Sequence, residues 1–323
     1  MSEVQGAGLV GLTEIEAAAQ RLAGVAIRTP LLPADSLTEC LDAEVRLKCE
    51  NLQRAGSFKI RGAYNFVSQL SDDQIGNGII TYSSGNHAQA VALAGRLRGL
   101  RAVVVMPTDA PAVKRKGAER LGAELHFEGT TSVERKRRAE ELARAEGLAM
   151  VPPFDHRHII AGQGTVGLEI AKEWADVDIV LAPIGGGGLA SGVAAAVKRM
   201  LPGTRVIGVE PAGAASMRAA LDAGGPTLLD SVDTIADGLK PVIAGELTYE
   251  HAAGLLDDVV TVDDAAIRKA TAALVGHHKL VVEFSGAATT AALLSGAVEA
   301  KALRVACVVS GGNLDPSLLA QLG

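Results

Sequence analysis

From residue 78 to residue 146 the chain alternates short aliphatic runs with longer stretches of helical pattern: 78–82, 86–97, 101–106, 111–121, 124–127 and 132–146. Strand and helix succeeding one another in this way predict a βαβαβα unit on a parallel sheet, because parallel neighbours need a crossover and a helix is its usual form. A second series follows Pro152-Pro153, with a helix near 163–174 and strands expected at 178–184, 205–210, 259–262, 280–282 and 304–309. The expected organisation is a small αβ unit, residues 78–152, inserted into a larger one made of 1–77 and 153–323, with the ligand cleft between them. Upstream, Thr13 with Glu16 reads as a capping box ahead of Ile15, Ala18, Ala19 and Leu22, a helix that Gly24 closes. Thr29–Pro33 then breaks the chain, and Val45, Leu47 and Cys49 alternate with Arg46, Lys48 and Glu50 as a half-buried strand does.

Hydrophobic residues make up 48% of the chain but aromatic ones only 3%, with 37 glycines, so the core must be built from small aliphatic side chains. That suits helices lying close on a buried parallel sheet. A formal charge of −6 argues against a nucleic-acid partner, which needs clustered cations to neutralise phosphates. The densest basic stretch, Arg135-Lys136-Arg137-Arg138, is followed by Glu140 and Glu141 and reads mainly as the solvated face of a helix. Cys40, Cys49 and Cys307 are odd in number and lack metal-site spacing, which fits a reducing cytoplasm. Met1-Ser2-Glu3-Val4 has no basic segment followed by an apolar core, and no apolar run is long enough for a bilayer, so a protein with small-molecule partners and no membrane is expected.

Three glycine-bearing turns each follow an aliphatic run: Ser83-Ser84-Gly85-Asn86-His87, Gly185-Gly186-Gly187-Gly188-Leu189 and Ser310-Gly311-Gly312-Asn313. The tetraglycine also precedes the helix-like stretch 189–197, so its amides can wrap a phosphate where the helix dipole favours one. An ordinary strand–helix turn without a ligand would use the same residues. Gly185, Gly187 and Ala190 also satisfy the loose dinucleotide pattern, with Glu210 ending the next strand; that alternative gives no role to the other two turns or to Lys59. A lone lysine is usually solvated, but Lys59 stands among Phe58, Ile60, Gly62 and Ala63. A desolvated ammonium loses its proton more easily, as imine formation with an aldehyde requires.

Ser57-Phe58-Lys59-Ile60-Arg61-Gly62-Ala63 resembles the lysine motif of the pyridoxal-phosphate-dependent serine/threonine dehydratase and serine racemase family. Ser83-Ser84-Gly85-Asn86-His87-Ala88-Gln89, Ala161-Gly162-Gln163-Gly164-Thr165, the tetraglycine, Ala236-Asp237-Gly238 and Ser310-Gly311-Gly312-Asn313 recur there in the same order, so the resemblance spans most of the chain. It implies an α/β fold of type II among pyridoxal-phosphate enzymes, tryptophan synthase β-like. Two open, twisted, mostly parallel sheets would be flanked by helices, with the active site in the interdomain cleft. It further implies that Lys59 carries pyridoxal 5'-phosphate and acts as the base, and that Gly185, Gly186, Gly187, Gly188 and Leu189 hold the phosphate through their amides. Asn86 would meet the ring hydroxyl, Phe58 would pack on the ring, and Ser310 would bond the ring nitrogen. A neutral hydroxyl there makes the ring a weaker electron sink, which favours elimination over transamination.

The same resemblance assigns the substrate carboxylate to Ser83, Ser84, Gly85, Asn86 and His87. Ser84 is then either a second proton carrier on the opposite face or a merely structural serine. Arg135 falls where a guanidinium could hold a second, distal carboxylate, although the solvated-helix reading competes. Glu210, the carbonyl of Ala214 and Ser216 occupy the positions at which relatives ligate Mg or Ca, with Ser216 replacing an aspartate. Pro152-Pro153-Phe154 departs from a His-Pro pair, and Lys240-Pro241-Val242 departs from the serines of racemases.

The activity implied is a dehydratase, or ammonia-lyase, of β-hydroxy-α-amino acids of threonine or serine type, whose aminoacrylate product hydrolyses to a 2-oxo acid and ammonia. The alternatives are a serine racemase and a dehydratase specific for 3-hydroxyaspartate or another β-substituted serine. Outside enzymes, the alternative is an amino-acid- or cofactor-binding protein. The chain closes soon after Ser310, so no appended regulatory domain and a catabolic or specialised role are expected, in a homodimer.

Overall fold

The computed structural model describes residues 8–322, so the Met1-Ser2-Glu3-Val4 segment lies outside the described residues. Helix α1 (Leu12–Arg21) is followed by β1 (Leu31–Pro33), α2 (Asp35–Leu41), β2 (Glu44–Cys49) and, after two short 3-10 turns, α3 (Lys59–Val67) and α4 (Asp72–Ile75). The alternating segment comprises β3 (Ile79–Tyr82), α5 (Asn86–Arg98), β4 (Ala102–Met106), α6 (Ala112–Arg120), β5 (Glu124–Phe127), α7 (Ser132–Glu146) and β6 (Ala149–Met150). Then come α8 (Arg157–Glu173), β7 (Ile179–Pro183), α9 (Gly188–Met200), β8 (Arg205–Pro211), α10 (Ser216–Ala223) and α11 (Glu246–Leu255). The last elements are β9 (Asp258–Val262), α12 (Asp264–Gly276), α13 (Phe284–Leu294) and β10 (Arg304–Val309).

These strands form two sheets, one of six in the order β1-β2-β10-β7-β8-β9 and one of four in the order β5-β4-β3-β6. Every pairing is parallel except β1 with β2. In the large sheet Val180 and Ala182 of β7 pack with α1, α8, α9 and α11, while Ile179 and Leu181 face α2, α12 and α13. Both faces are therefore covered, which is why β7 and the small sheet's β4 are apolar along their whole length. Small side chains let the helices approach. A Cβ at Gly162 of α8 would lie 2.5 Å from the Arg61 carbonyl oxygen and 2.7 Å from Gly62 Cα of α3. In the small sheet β3 pairs with β6, Ile79 opposite Ala149, so the segment enters and leaves this sheet side by side.

The structure departs from the sequence reading at several points. The N-cap of α1 is Gly11, not Thr13, and Glu14 rather than Glu16 bonds back to it, at 2.9 Å from the Gly11 amide. Residues 31–33, expected as a break, pair antiparallel with β2 as an edge strand, where Pro33 lacks only a donor that faces away. Residues 280–282 alternate in burial as a strand would but pair with none; they lead into α13, held by Asn51 on the Val281 carbonyl at 3.2 Å. Helix α8 begins at Arg157, earlier than expected, because His156, an unusual cap, accepts from the His158 amide at 3.1 Å. Lys48, expected on the solvent side of β2, is fully buried on Glu169 at 2.6 Å.

Candidate active site

All three glycine-bearing turns lie at the carboxyl ends of parallel strands, β3, β7 and β10, where ligands of open α/β sheets collect. Lys59 joins them because the segment before α3 is hydrogen-bonded to the turn after β10. Ser57 bridges Gly311, and the Phe58 amide donates to the Ser310 carbonyl at 3.2 Å. The Lys59 Nζ donates to the Pro153 carbonyl at 2.8 Å, and burial brings its pKa down to about 8. His87 lies against the Val151 carbonyl at 3.3 Å, two residues upstream. A carbonyl only accepts, so His87 Nε2 carries the hydrogen; burial, with the Lys59 charge nearby, lowers its pKa to about 3 and keeps the ring neutral.

The helix that begins with Lys59 is anchored from below by Arg61. This buried guanidinium donates to both oxygens of Glu50 at 2.7 and 2.8 Å and to Glu169 at 2.7 and 3.0 Å. It also reaches the Thr165 hydroxyl and the Ile27 carbonyl, each at 3.1 Å. Burial alone would raise the Glu50 pKa, but Arg61 holds it below the usual carboxylate range.

The Gly185–Leu189 turn has the form of an anion cradle. Thr248 ties back the Gly186 carbonyl at 2.8 Å, and Gly187, at φ +94°, leads into the first turn of α9, whose leading amides have no intrahelical acceptor. The Phe154 ring lies directly on Gly186, and the Phe154 backbone comes within 3.1 Å of where a Gly188 Cβ would be. These residues fit a phosphorylated aldehyde cofactor: a reactive amine with a lowered pKa, an amide cradle with no room for Cβ atoms, and a buried hydroxyl, Ser310, whose contact to the Ser285 carbonyl is a loose 3.5 Å.

At the Ser83 turn, the Ser83 Oγ accepts from the Gly85 amide at 3.1 Å, and Ser84 is half-buried just ahead of α5. Asn86 opens that helix; its Oδ1 accepts from Asn313 at 2.9 Å and its Nδ2 donates to Glu283. Phe58 is half-buried, with its ring centroid 5.3 Å from the Lys59 Nζ. Arg135 requires a correction: it is buried, not solvated. Its guanidinium donates to the Thr130 carbonyl at 2.9 Å, its Nε has no partner, and desolvation lowers its pKa.

Glu210, Ala214 and Ser216 do not assemble a site suited to a hard divalent cation. Both Glu210 oxygens already accept backbone amides of α10, Met217 and Arg218, at 2.8 Å each, so the carboxylate serves as a helix cap. Burial pushes its pKa up to about 7, and Ser216 offers an uncharged hydroxyl where a second carboxylate would be needed.

Glu283, Lys114 and Phe154 also belong to this region, and the sequence reading singled out none of them for a role in it. Glu283 stands just ahead of α13 within an apolar stretch, a setting that could have flagged it as a buried acid. Lys114 lies among Arg115, Lys116 and Glu119 and carries no such signal.

Residues 22–311 match the sequence profile of the family described as pyridoxal-phosphate dependent enzyme. The chain is 40% identical over 311 residues to an L-threonine ammonia-lyase of Thermotoga maritima, covering 96% of this chain and 77% of that protein. It is likewise 40% identical to a catabolic L-threonine dehydratase of Escherichia coli, over 97% of this chain and 96% of that one. The solved structure of maize serine racemase superposes with a TM-score of 0.93 at 38% identity, covering 97% of this chain and 96% of that one. An amine at the meeting point of three strand-end turns, together with likeness over nearly the whole chain, leads to one conclusion: the chain belongs to the family of pyridoxal-phosphate-dependent enzymes.

Proposed function

We propose that this protein is a dehydratase of β-hydroxy-α-amino acids of threonine or serine type, converting them to a 2-oxo acid and ammonia. The Lys59 amine carries the reading. It is held against the Pro153 carbonyl and has a pKa brought to about 8 by burial, so an appreciable fraction is unprotonated near neutral pH. The names of relatives at about 40% identity, threonine ammonia-lyase and threonine dehydratase, support it.

When bound, pyridoxal phosphate supplies an aldehyde that captures an amine and a conjugated ring that accepts the electron pair left when Cα loses its proton. The cradle at 185–189 holds the anionic tail, and the Phe154 ring packs on Gly186 of that turn. The amides at the start of α5 orient the substrate carboxylate, setting Cα–H toward Lys59. Lys59 Nζ then takes the Cα proton. Neutral His87, its Nε2–H committed to the Val151 carbonyl, adds no competing positive charge beside that amine. Ser310 offers a hydroxyl, not a carboxylate, to the ring nitrogen, which suits loss of the β-substituent.

A second reading, specificity for 3-hydroxyaspartate, is favoured by Arg135, whose buried guanidinium donates to the Thr130 carbonyl and leaves its Nε without a partner among the described residues. A homodimer and a cytoplasmic location complete the proposal and rest on family resemblance and on free Cys40, Cys49 and Cys307. Among the described residues no helix is long and apolar enough to cross a membrane.

The test is a panel of threonine, serine and 3-hydroxyaspartate given to cofactor-loaded protein, scored for oxo-acid release and for inversion at Cα. Borohydride reduction and peptide mapping should place the cofactor on Lys59. Inversion without oxo acid would transfer the assignment to a racemase, and neither product from any substrate would sink the proposal.

A further inference from the structure

Glu283 has no part in the steps above, yet it is buried against Asn86, the first residue of α5. One of its oxygens accepts from Asn86 Nδ2, and the other lies 3.3 Å from the Lys114 Nζ. Lys114 comes from α6 beside the small sheet, is 3% exposed, and also pairs with Asp237 beside the large one. On its other side Asn86 accepts from Asn313 Nδ2, which donates as well to the Ala55 carbonyl at 2.9 Å.

These partners leave the Asn86 amide one orientation. An ionised carboxylate only accepts and Asn313 Nδ2 only donates, so flipping the amide would set like against like on both sides. In the permitted orientation one Nδ2 hydrogen goes to Glu283 and the other is left over. An ionised Glu283 enforces that arrangement, because neither of its oxygens can then donate. Burial pushes its pKa up, and Lys114 opposes the shift; a protonated Glu283 could donate to Asn86 Oδ1 and remove the constraint. Lys114 keeps its proton: burial would lower its pKa, but Glu283 and Asp237 raise it.

We propose that Glu283 is a positioning residue that locks the Asn86 amide with its free N–H toward the cofactor ring, and that Lys114 is the counter-ion that keeps Glu283 an acceptor. The proposal rests on the reading that sets Asn86 beside the ring hydroxyl. A charge on α6 thereby acts on the cofactor through two intermediaries without touching it.

The test compares wild-type protein with Asn86→Ala, Glu283→Gln, Lys114→Met and Lys114→Arg. Two measurements are made: the cofactor absorption band against pH, and the cofactor dissociation constant from titration of the cofactor-free protein. Asn86→Ala and Glu283→Gln should both move the band or its pH midpoint and weaken cofactor binding about tenfold, as loss of one charge-assisted hydrogen bond does. In Glu283→Gln, kcat should fall while KM stays within about twofold, because Glu283 does not reach the substrate. Lys114→Met should move the band in the same direction, and Lys114→Arg should restore it. A shift in Asn86→Ala with none in Glu283→Gln overturns the proposal and leaves the Asn86 reading standing; no shift in either removes both. If Glu283→Gln does not fold, the Lys114 pair decides, and unmoved bands in both of those variants overturn the proposal.

Discussion

At the scale of single residues, Lys59 shows how local context sets chemistry. Its ordinary pKa of 10.5 falls to about 8 in the fold because its ammonium is desolvated. In cofactor-free protein the unfolded chain therefore takes up a proton on this amine as pH falls below 10.5, while the folded chain waits until about 8. Stability is lost over that window as pH falls and gained as pH rises. Denaturant titrations of cofactor-free wild type and Lys59→Met should show the wild type gaining on the variant between pH 8 and 10.5; a constant gap would refute the assignment. The amine was legible in the sequence because its neighbours are apolar and small. Lys48, Arg61 and Glu283 were not singled out, since each is buried by partners at least 11 residues away, such as Glu169 for Lys48 and Glu50 for Arg61. Of the two readings that the sequence left open for Arg135, the solvated helix face fails because the fold buries the side chain, which its charged sequence neighbours hide.

Among elements, the parallel strands and the helices between them were readable from aliphatic runs, and the turns at strand ends from their glycines. What failed were edges: β1 is a three-residue edge strand containing proline, and β6 has only two residues. The start of α8 was hidden by a histidine cap, and 280–282 carries the right alternation with no neighbour to pair with. The crossing of α3 and α8 was legible only as a glycine in Ala161-Gly162-Gln163, without its purpose. The backbones touch there, and a methyl group has no flexible side chain to displace. Gly162→Ala should cost about 1–3 kcal/mol in urea unfolding, whereas the open Gly203 should tolerate alanine. Equal effects at the two sites would show that the crossing is not tight.

For the molecule as a whole, the charges that matter are few and internal. Arg61 fastens the end of β2, the start of α3, the middle of α8 and the chain after α1 at one point. Arg101, on the small sheet, pairs with Glu124 and Glu146 but is 42% exposed. Removing one partner of a buried pair strands the others, so Arg61→Met should lower unfolding free energy by about 3–5 kcal/mol. Arg101→Ala should cost no more than about 1 kcal/mol. Urea midpoints of the two variants measure the difference, and comparable losses would mean that the buried network does not hold the molecule together.

The pairing of β3 with β6 has a further consequence. The polypeptide leaves the six-stranded body and comes home to it through doorposts one strand spacing, about 5 Å, apart. A detour with such close ends is a natural cassette. Another sequence spliced between those two joints would carry a different Ser83–His87 turn to the same cleft, provided it kept the apolar face on which Ile60, Ala63 and Val67 of α3 rest.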